Sequence, residues 1–300
     1  MLSHRSPVAL TGATGFIGSA IRYLALPDQE LMLISRRPPG GELAPNEVHR
    51  AADITKRDEI EIALAGAGSI IHCASYVGSN AGLAWHVNDH GTRLVVEAAA
   101  RNGVKQITYV STTGVYGHGQ MRSADETRPT EPVSETSRSR LAAERHVVNA
   151  GGIVIRPHLV YGHGDRWVIP LLVRFAQTYG LPDAGDARAS FIRVSDLAAQ
   201  VWALQQLVEK ASTAEVVNAD HGEPVTLAEV WNECRTKLAL PGPSNRRFAA
   251  GNENVLSTHQ RNMLSTDSWF TSRLRGLGVQ VQPTPFGIDE TMVQWYQTQL

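Results

Sequence analysis

The chain has 300 residues, of which 42% are hydrophobic and 19% charged, with a formal net charge of −1. This balance fits a soluble globular protein long enough for one large α/β unit and a smaller lobe. It excludes a general attraction for nucleic acid or an anionic membrane. No apolar run approaches the ~20 residues needed to cross a bilayer, and Met1-Leu-Ser-His-Arg5 leads into a strand without a signal-peptide pattern. Cys73 and Cys234 form no spaced pair, so a reduced cytoplasmic setting without disulfides or a cysteine metal site is expected.

In chain order, Val8–Thr11, Glu30–Ser35, Val48–Ala51, Ser69–Cys73, Gln106–Ser111 and Ile153–Arg156 read as short buried strands. Phe16–Leu24, Arg57–Leu64, Trp85–Asn102 and Ser137–Asn149 have helical length and apolar spacing between them. Alternation of this kind implies parallel crossovers, hence a doubly wound parallel sheet of Rossmann type. Beyond Pro157, Trp167–Tyr179 reads as an amphipathic helix and Phe191–Val194 as a strand. Val194-Ser-Asp196 supplies a start for a helix over Leu197–Val208, and a last helix falls near Ile288–Gln299. The expected division is a dinucleotide-binding domain over 1–165 plus 190–218 and a smaller substrate lobe over 166–189 plus 219–300. That lobe would cover the carboxyl edge of the sheet, where ligands of such folds bind.

Gly12, Gly15 and Gly18 stand at G-x-x-G-x-x-G spacing between the first strand and the first helix. Such a turn lets backbone approach a pyrophosphate, and the free N–H groups around Thr14, Phe16 and Ile17 at the helix start favour the anion. The strand–turn–helix context points to a dinucleotide cofactor rather than a plain structural turn. Where the second strand ends, a carboxylate would bind the adenosine ribose hydroxyls, but the chain has Ser35-Arg36-Arg37. Two guanidinium forks suit a phosphate, so NADP(H) is favoured, with NAD(H) as the alternative if these arginines are only solvated loop charge. Asp53 and Ile54 follow the third strand, placed to meet the adenine amino group and ring.

These residues resemble the extended short-chain dehydrogenase/reductase family, the NAD-dependent epimerase/dehydratase group. The resemblance rests on Thr11-Gly-Ala-Thr-Gly-Phe-Ile-Gly18, Asp53-Ile54, Ile71-His-Cys-Ala-Ser75, Asn88-Asp-His-Gly-Thr92 and Tyr109-Val-Ser-Thr-Thr-Gly-Val-Tyr-Gly117. It continues through Leu141-Ala-Ala-Glu144, Arg156-Pro-His-Leu-Val-Tyr-Gly162 and Val194-Ser-Asp-Leu-Ala198, covering about residues 7–208. The resemblance implies that Cys73, Ala74 and Ser75 line the cofactor and that Pro157 to Leu159 border the nicotinamide amide. It also implies that Thr112 holds the substrate oxygen, while Tyr116 is structural.

One departure stands out. Counting back from Leu141-Ala-Ala-Glu144 puts Arg140 at the family's lysine and Thr136 at its tyrosine, and residues 131–140 contain no tyrosine. Arg140 still offers charge and donors, but an aliphatic hydroxyl exchanges protons poorly at neutral pH. One explanation is that another group supplies the proton, with Tyr76 the preferred candidate over Glu135, His118 and His163, although a packing role in the cleft wall is the more ordinary reading of Tyr76. A redox-neutral elimination or cyclisation, or an inactive NADP(H)-binding sensor or scaffold, are the alternatives. The leading expectation is an NADP(H)-dependent oxidoreductase or epimerase-type enzyme acting on a carbinol or ketone of a small molecule. Nucleotide sugars, steroid-like compounds and secondary-metabolite intermediates all fit that description. Arg166, Arg174, Arg188 and Arg193 could face a phosphorylated substrate or pair with Asp183, Asp186 or Asp196, and Trp167, Trp231, Trp269 and Phe270 read mostly as core. A monomer or a homodimer is expected; the resemblance implies that in a homodimer the helices over Trp85–Asn102 and Ser137–Asn149 would pair, although Arg138, Arg140 and Arg145 make the second unusually basic for a packed face.

Overall fold

The computed structural model describes residues 6–104, 106–180, 187–208, 214–242 and 266–300. Seven strands form a fully parallel sheet: β1 (Val8–Thr11), β2 (Leu31–Ser35), β3 (Glu47–Ala51), β4 (Ser69–His72), β5 (Ile107–Val110), β7 (Ile153–Arg156) and β11 (Glu215–Asn218). Their order is β3-β2-β1-β4-β5-β7-β11. The chain therefore reverses direction between β1 and β4, and a crevice opens at the carboxyl ends of Thr11 and His72.

Every residue of β1, β4, β5 and β7 is buried, which explains why these runs are mainly apolar on both faces rather than alternating, with Thr11, Ser69, His72, Thr108 and Arg156 the buried polar exceptions. Leu10, Ile71, Val110 and Ile155 face one core with α1 (Phe16–Tyr23) and α7 (Val194–Val208). Ala9, Ile70, Tyr109 and Val154 face the other core, beneath α2 (Arg57–Ala63), α4 (Thr92–Arg101) and α5 (Glu135–Asn149).

A smaller layer flanks this sheet. The strand β8 (Leu159–Tyr161) pairs in parallel with β10 (Phe191–Arg193). A four-stranded sheet runs in the order β12 (Val225–Thr226), β9 (Arg188–Ala189), β13 (Ser268–Phe270), β6 (Met121–Ala124). Tyr161, Ile169, Phe191, Trp231 and Tyr296 fill its core with α6 (Val168–Tyr179), α8 (Leu227–Lys237) and α9 (Glu290–Gln297). Thr226 and Glu229 close a reciprocal capping box at the start of α8, which fixes where that helix begins.

Several expectations shift. Residues 121–124, read as part of the larger unit, pair with β13 in the second sheet. The helix read over Trp85–Asn102 starts earlier, at α3 (Ala81–Ala84), and widens into a π-helix over Trp85–Gly91 before α4. α7 starts at Val194, so Asp196 is not its cap: its carboxylate accepts the Thr284 N–H at 2.7 Å. Trp231 and Phe270 are core, whereas Trp167 is 66% exposed. Arg140 is buried and adds no charge to the outer face of α5. Arg193 pairs with Asp289 and Arg174 donates to the Gln299 carbonyl, while Asp183 and Asp186 lie outside the described residues.

Candidate active site

The glycine turn is built by sterics. Gly12 has φ +71°, and a Cβ added there would lie 2.6 Å from the Ala74 nitrogen. One added at Gly18 would lie 2.1 Å from the Gly12 carbonyl oxygen, so the first turn of α1 packs directly on the loop. Gly15 is the N-cap of α1, and no side chain caps that end. Its first N–H groups thus remain available to an anion, with Thr14 and Gly15 exposed and Phe16 and Ile17 half-buried beside them.

A buried relay ties this loop to its neighbours. Thr11 Oγ1 accepts the Ala74 N–H at 3.4 Å and meets His72 Nδ1 at 2.6 Å, while His72 Nε2 meets Thr92 Oγ1 at 2.9 Å. Burial, helped by the charge of Arg140, pulls His72 down to about 3. The imidazole is therefore a neutral strut rather than a proton carrier at pH 7. Ala74 and Ser75 continue from it half-buried. Neither cysteine is poised as a nucleophile, since burial pushes Cys73 and Cys234 up to about 12.

Arg140 reaches in from α5 and donates through a terminal nitrogen to the Val110 carbonyl at 2.5 Å. Its guanidinium carbon lies 5.9 Å from the Tyr109 ring centre. Its Nε and the Tyr109 hydroxyl are buried without a hydrogen-bond partner among the described residues. Unpaired buried donors cost free energy, so Arg140 fits a site that gains an acceptor on ligand binding. Burial raises Tyr109 despite the nearby cation, so that phenol stays protonated. The positive φ at Gly12, the uncapped α1 terminus and the orphaned Arg140 donor together fit a dinucleotide laid across the β1–β4 crevice.

Thr112 follows β5 and caps the short 3-10 turn Thr113–Tyr116, its Oγ1 accepting the Gly114 N–H at 3.1 Å. Tyr116 is structural: its hydroxyl donates to Asn218 at 2.8 Å, and Arg156 covers its ring at 4.9 Å. Thr136, in the first turn of α5, donates to the Gly78 carbonyl at 2.9 Å. Tyr76 folds over the same glycine, its hydroxyl accepting the Asn80 N–H at 3.3 Å. The Tyr76 phenol and the Thr136 hydroxyl thereby meet at one residue of a shared loop. Glu135 is occupied by Trp85 and Arg138, and the His163 ring packs 5.0 Å from Trp295. His118 is displaced downward by burial alone.

At the end of β2, Arg36 and Arg37 are exposed. Asp53 Oδ1 accepts from the Thr55 N–H and hydroxyl at 2.9 and 2.8 Å, and Arg36 helps hold its pKa low. Ile54 is buried against Gly91, so it floors this corner and exposes little of itself. Pro157 accepts the Thr113 N–H at its carbonyl, and Leu159 is buried at the start of β8.

Sequence reading gave no role to Asn88 or Ser137. Asn88, fully buried in the π-helix, clamps the Tyr76 backbone from both sides, at 2.7 and 3.1 Å, and also donates to Ser139. An Asn inside a helical apolar pattern was the available signal. Ser137 Oγ lies beside the Thr112 turn, and nothing in its local sequence marks it.

The model of the NAD dependent epimerase/dehydratase family matches residues 8–219. The chain belongs to that family. It is 27% identical over 270 residues to short-chain dehydrogenase/reductase family 42E member 1 of Danio rerio, covering 79% of this chain and 69% of that protein. It is 29% identical over 170 residues to N-acetyl-alpha-D-glucosaminyl-diphospho-ditrans,octacis-undecaprenol 4-epimerase of Escherichia coli O157:H7, covering 53% and 50%. The chain thus spans between half and seven-tenths of these relatives' length. Among solved structures, the UDP-Glc/GlcNAc 4-epimerase of Campylobacter jejuni superposes with a TM-score of 0.79 at 18% identity, covering 98% of both chains. At that identity the likeness concerns the fold. No helix among the described residues is long and apolar enough to cross a membrane.

Proposed function

We propose that this chain is a nicotinamide-dependent enzyme that moves hydride at a secondary carbinol or ketone carbon of a small molecule, with NADP(H) preferred. The observation carrying this reading is a pair of open donor sites at the ends of β1 and β5: the uncapped start of α1 above the Gly12–Gly18 turn, and buried Arg140, bound to Val110 with its Nε unpaired among the described residues. The loop backbone holds the pyrophosphate, Arg36 and Arg37 hold a 2′-phosphate, and Asp53 with Ile54 borders the adenine. When bound, the nicotinamide supplies a hydride acceptor or donor at its C4. Thr112 holds the substrate oxygen, and Arg140 stabilises negative charge developing there. Thr136 takes the place of the usual tyrosine and braces the loop through Gly78, and Tyr76 supplies or takes up the proton on the substrate oxygen.

The test uses purified protein with NADP+ or NAD+ and a panel of UDP-glucose, UDP-N-acetylglucosamine and a hydroxysteroid. Substrate-dependent appearance of reduced cofactor is expected, and single-turnover hydride transfer in Tyr76→Phe should be slowed. An unaltered rate in that variant removes Tyr76 from the scheme. The epimerases among the relatives and neighbours favour one variant of this reading, in which hydride leaves and returns with no net redox change. Dinucleotide retained through purification and detected by mass spectrometry of the denatured protein would support that variant.

A further inference from the structure

The start of α5 carries two adjacent hydroxyls that point to different places. Thr136 gives its hydrogen to the Gly78 carbonyl. One residue later, about 100° further around the helix, Ser137 faces the turn that holds Thr112. A Cβ built on Gly114 would lie 3.0 Å from Ser137 Oγ and 3.4 Å from Thr112 Oγ1. The two oxygens therefore flank a space that glycine leaves open.

Both hydroxyls already accept a hydrogen bond from the protein. Thr112 Oγ1 accepts the Gly114 N–H at 3.1 Å, and Ser137 Oγ accepts the Ser134 hydroxyl at 2.9 Å. Ser134 in turn accepts the Ser137 N–H at 3.0 Å as the helix cap, which fixes the pair. A hydroxyl has one hydrogen to give, and neither Thr112 nor Ser137 donates to an acceptor among the described residues. Two donors oriented by their own accepted bonds, half-buried and aimed at one gap, suit an oxygen that gains negative charge.

We propose that Ser137 and Thr112 form a two-hydroxyl fork over Gly114 that receives the reacting oxygen of the substrate. The fork rests on the reading of Thr112 as the residue that holds this oxygen, and it makes Ser137 a second contact. It also defines the substrate class more closely: a carbonyl or carbinol oxygen, which can accept from both hydroxyls at once.

The test uses the full chain saturated with NADP+ and trifluoroethanol, an acidic alcohol whose fluorine resonance reports binding without turnover. The unsubstituted protein should bind it. Ser137→Ala should weaken binding about three- to tenfold, the effect of losing one hydrogen bond, and Thr112→Ala should do the same. Gly114→Ala should weaken it comparably with both hydroxyls present, because the added methyl fills the gap. Absence of binding to the unsubstituted protein, or binding to Ser137→Ala within about twofold of it, would overturn the fork. Binding that depends on Ser137, with neither reduced cofactor nor epimerised product formed from any panel compound, keeps the fork and refutes the proposed reaction. Turnover whose kcat and KM ignore Ser137→Ala refutes the fork and keeps the reaction.

Discussion

Replacing Gly18 by alanine tests how loop and helix cooperate to make the proposed phosphate site. The new Cβ would sit 2.1 Å from the Gly12 oxygen, 2.8 Å from its carbonyl carbon and 3.2 Å from the Ala13 Cα. The first contact is more than about 1 Å inside ordinary carbon–oxygen approach. All three atoms are backbone, so no rotamer change relieves it; α1 and the turn must separate. Overpacking of this kind costs about 1–3 kcal/mol, or a melting shift on the order of 5 °C for a chain of this size. The displaced N–H groups would also lose at least one bond to the anion, worth about 1.5–3 kcal/mol, so NADP+ affinity should fall at least about tenfold. Gly15→Ala is the contrast. Its Cβ would meet only the Gly12 oxygen, at 3.2 Å, on an exposed residue, so apoprotein stability should change by less than about 1 kcal/mol while affinity still drops. Scanning calorimetry of the apoproteins and titration calorimetry with NADP+ separate the two effects. A Gly18→Ala protein that melts and binds like the unsubstituted one would refute the steric reasoning.

Removing both guanidinium groups with Arg36→Ala/Arg37→Ala should weaken NADP+ about tenfold or more and leave NAD+ unchanged, read by the same titration. Glu144 is buried, accepting from Arg156 Nε at 3.0 Å and from the Ser111 hydroxyl at 2.5 Å. Glu144→Ala would strand that arginine, and urea unfolding should show a loss of about 3–5 kcal/mol. Burial holds His72 near 3 and His221 near 4 in the folded chain, against 6.5 when exposed. The unfolded chain therefore takes up protons that the folded one refuses as pH falls below about 6.5. Stability from these groups is complete above that value and declines toward pH 5, by up to ~1.4 kcal/mol per pH unit for each histidine. Urea unfolding of His221→Gln between those pH values should show a shallower decline, and an equal slope would refute the assignment.

Six of the seven strands of the large sheet were legible, four of them (β1, β4, β5 and β7) buried along their whole length. The seventh, β11 (Glu215–Asn218), half-buried over its first two residues, went unread. Val8–Thr11 and Ile153–Arg156 appear with the bounds their apolar runs suggest, and the glycine spacing announced where the chain turns against α1. The second sheet was not legible. Its strands β6, β9, β12 and β13 have two to four residues, too few for a period of two to be seen. Their pairing is decided by contacts far apart in sequence, such as Met121 opposite Ser268. The π-helix was hidden for another reason: one extra residue in a turn leaves apolar spacing nearly unchanged, and only buried Asn88, bound to the Tyr76 backbone, betrays it.

Position-by-position reading of α5 meets the same limit. Counting back from Leu141-Ala-Ala-Glu144 assigns Arg140 and Thr136 by order, and order says nothing of which way a hydroxyl points. On a helix, neighbours diverge by about 100°, so Thr136 braces Gly78 while Ser137 looks across Gly114 toward Thr112. Arg140 lies on the inward side of the same helix, four residues after Thr136, and is buried for that reason. Thr136 and Ser137, neighbours in sequence, therefore serve different partners. Thr112, Ser137 with Arg140, and the Tyr76 loop come from three separate stretches of chain. The chemistry of this site depends on which of their hydrogens remain free, which is a property of the folded network and not of any single motif.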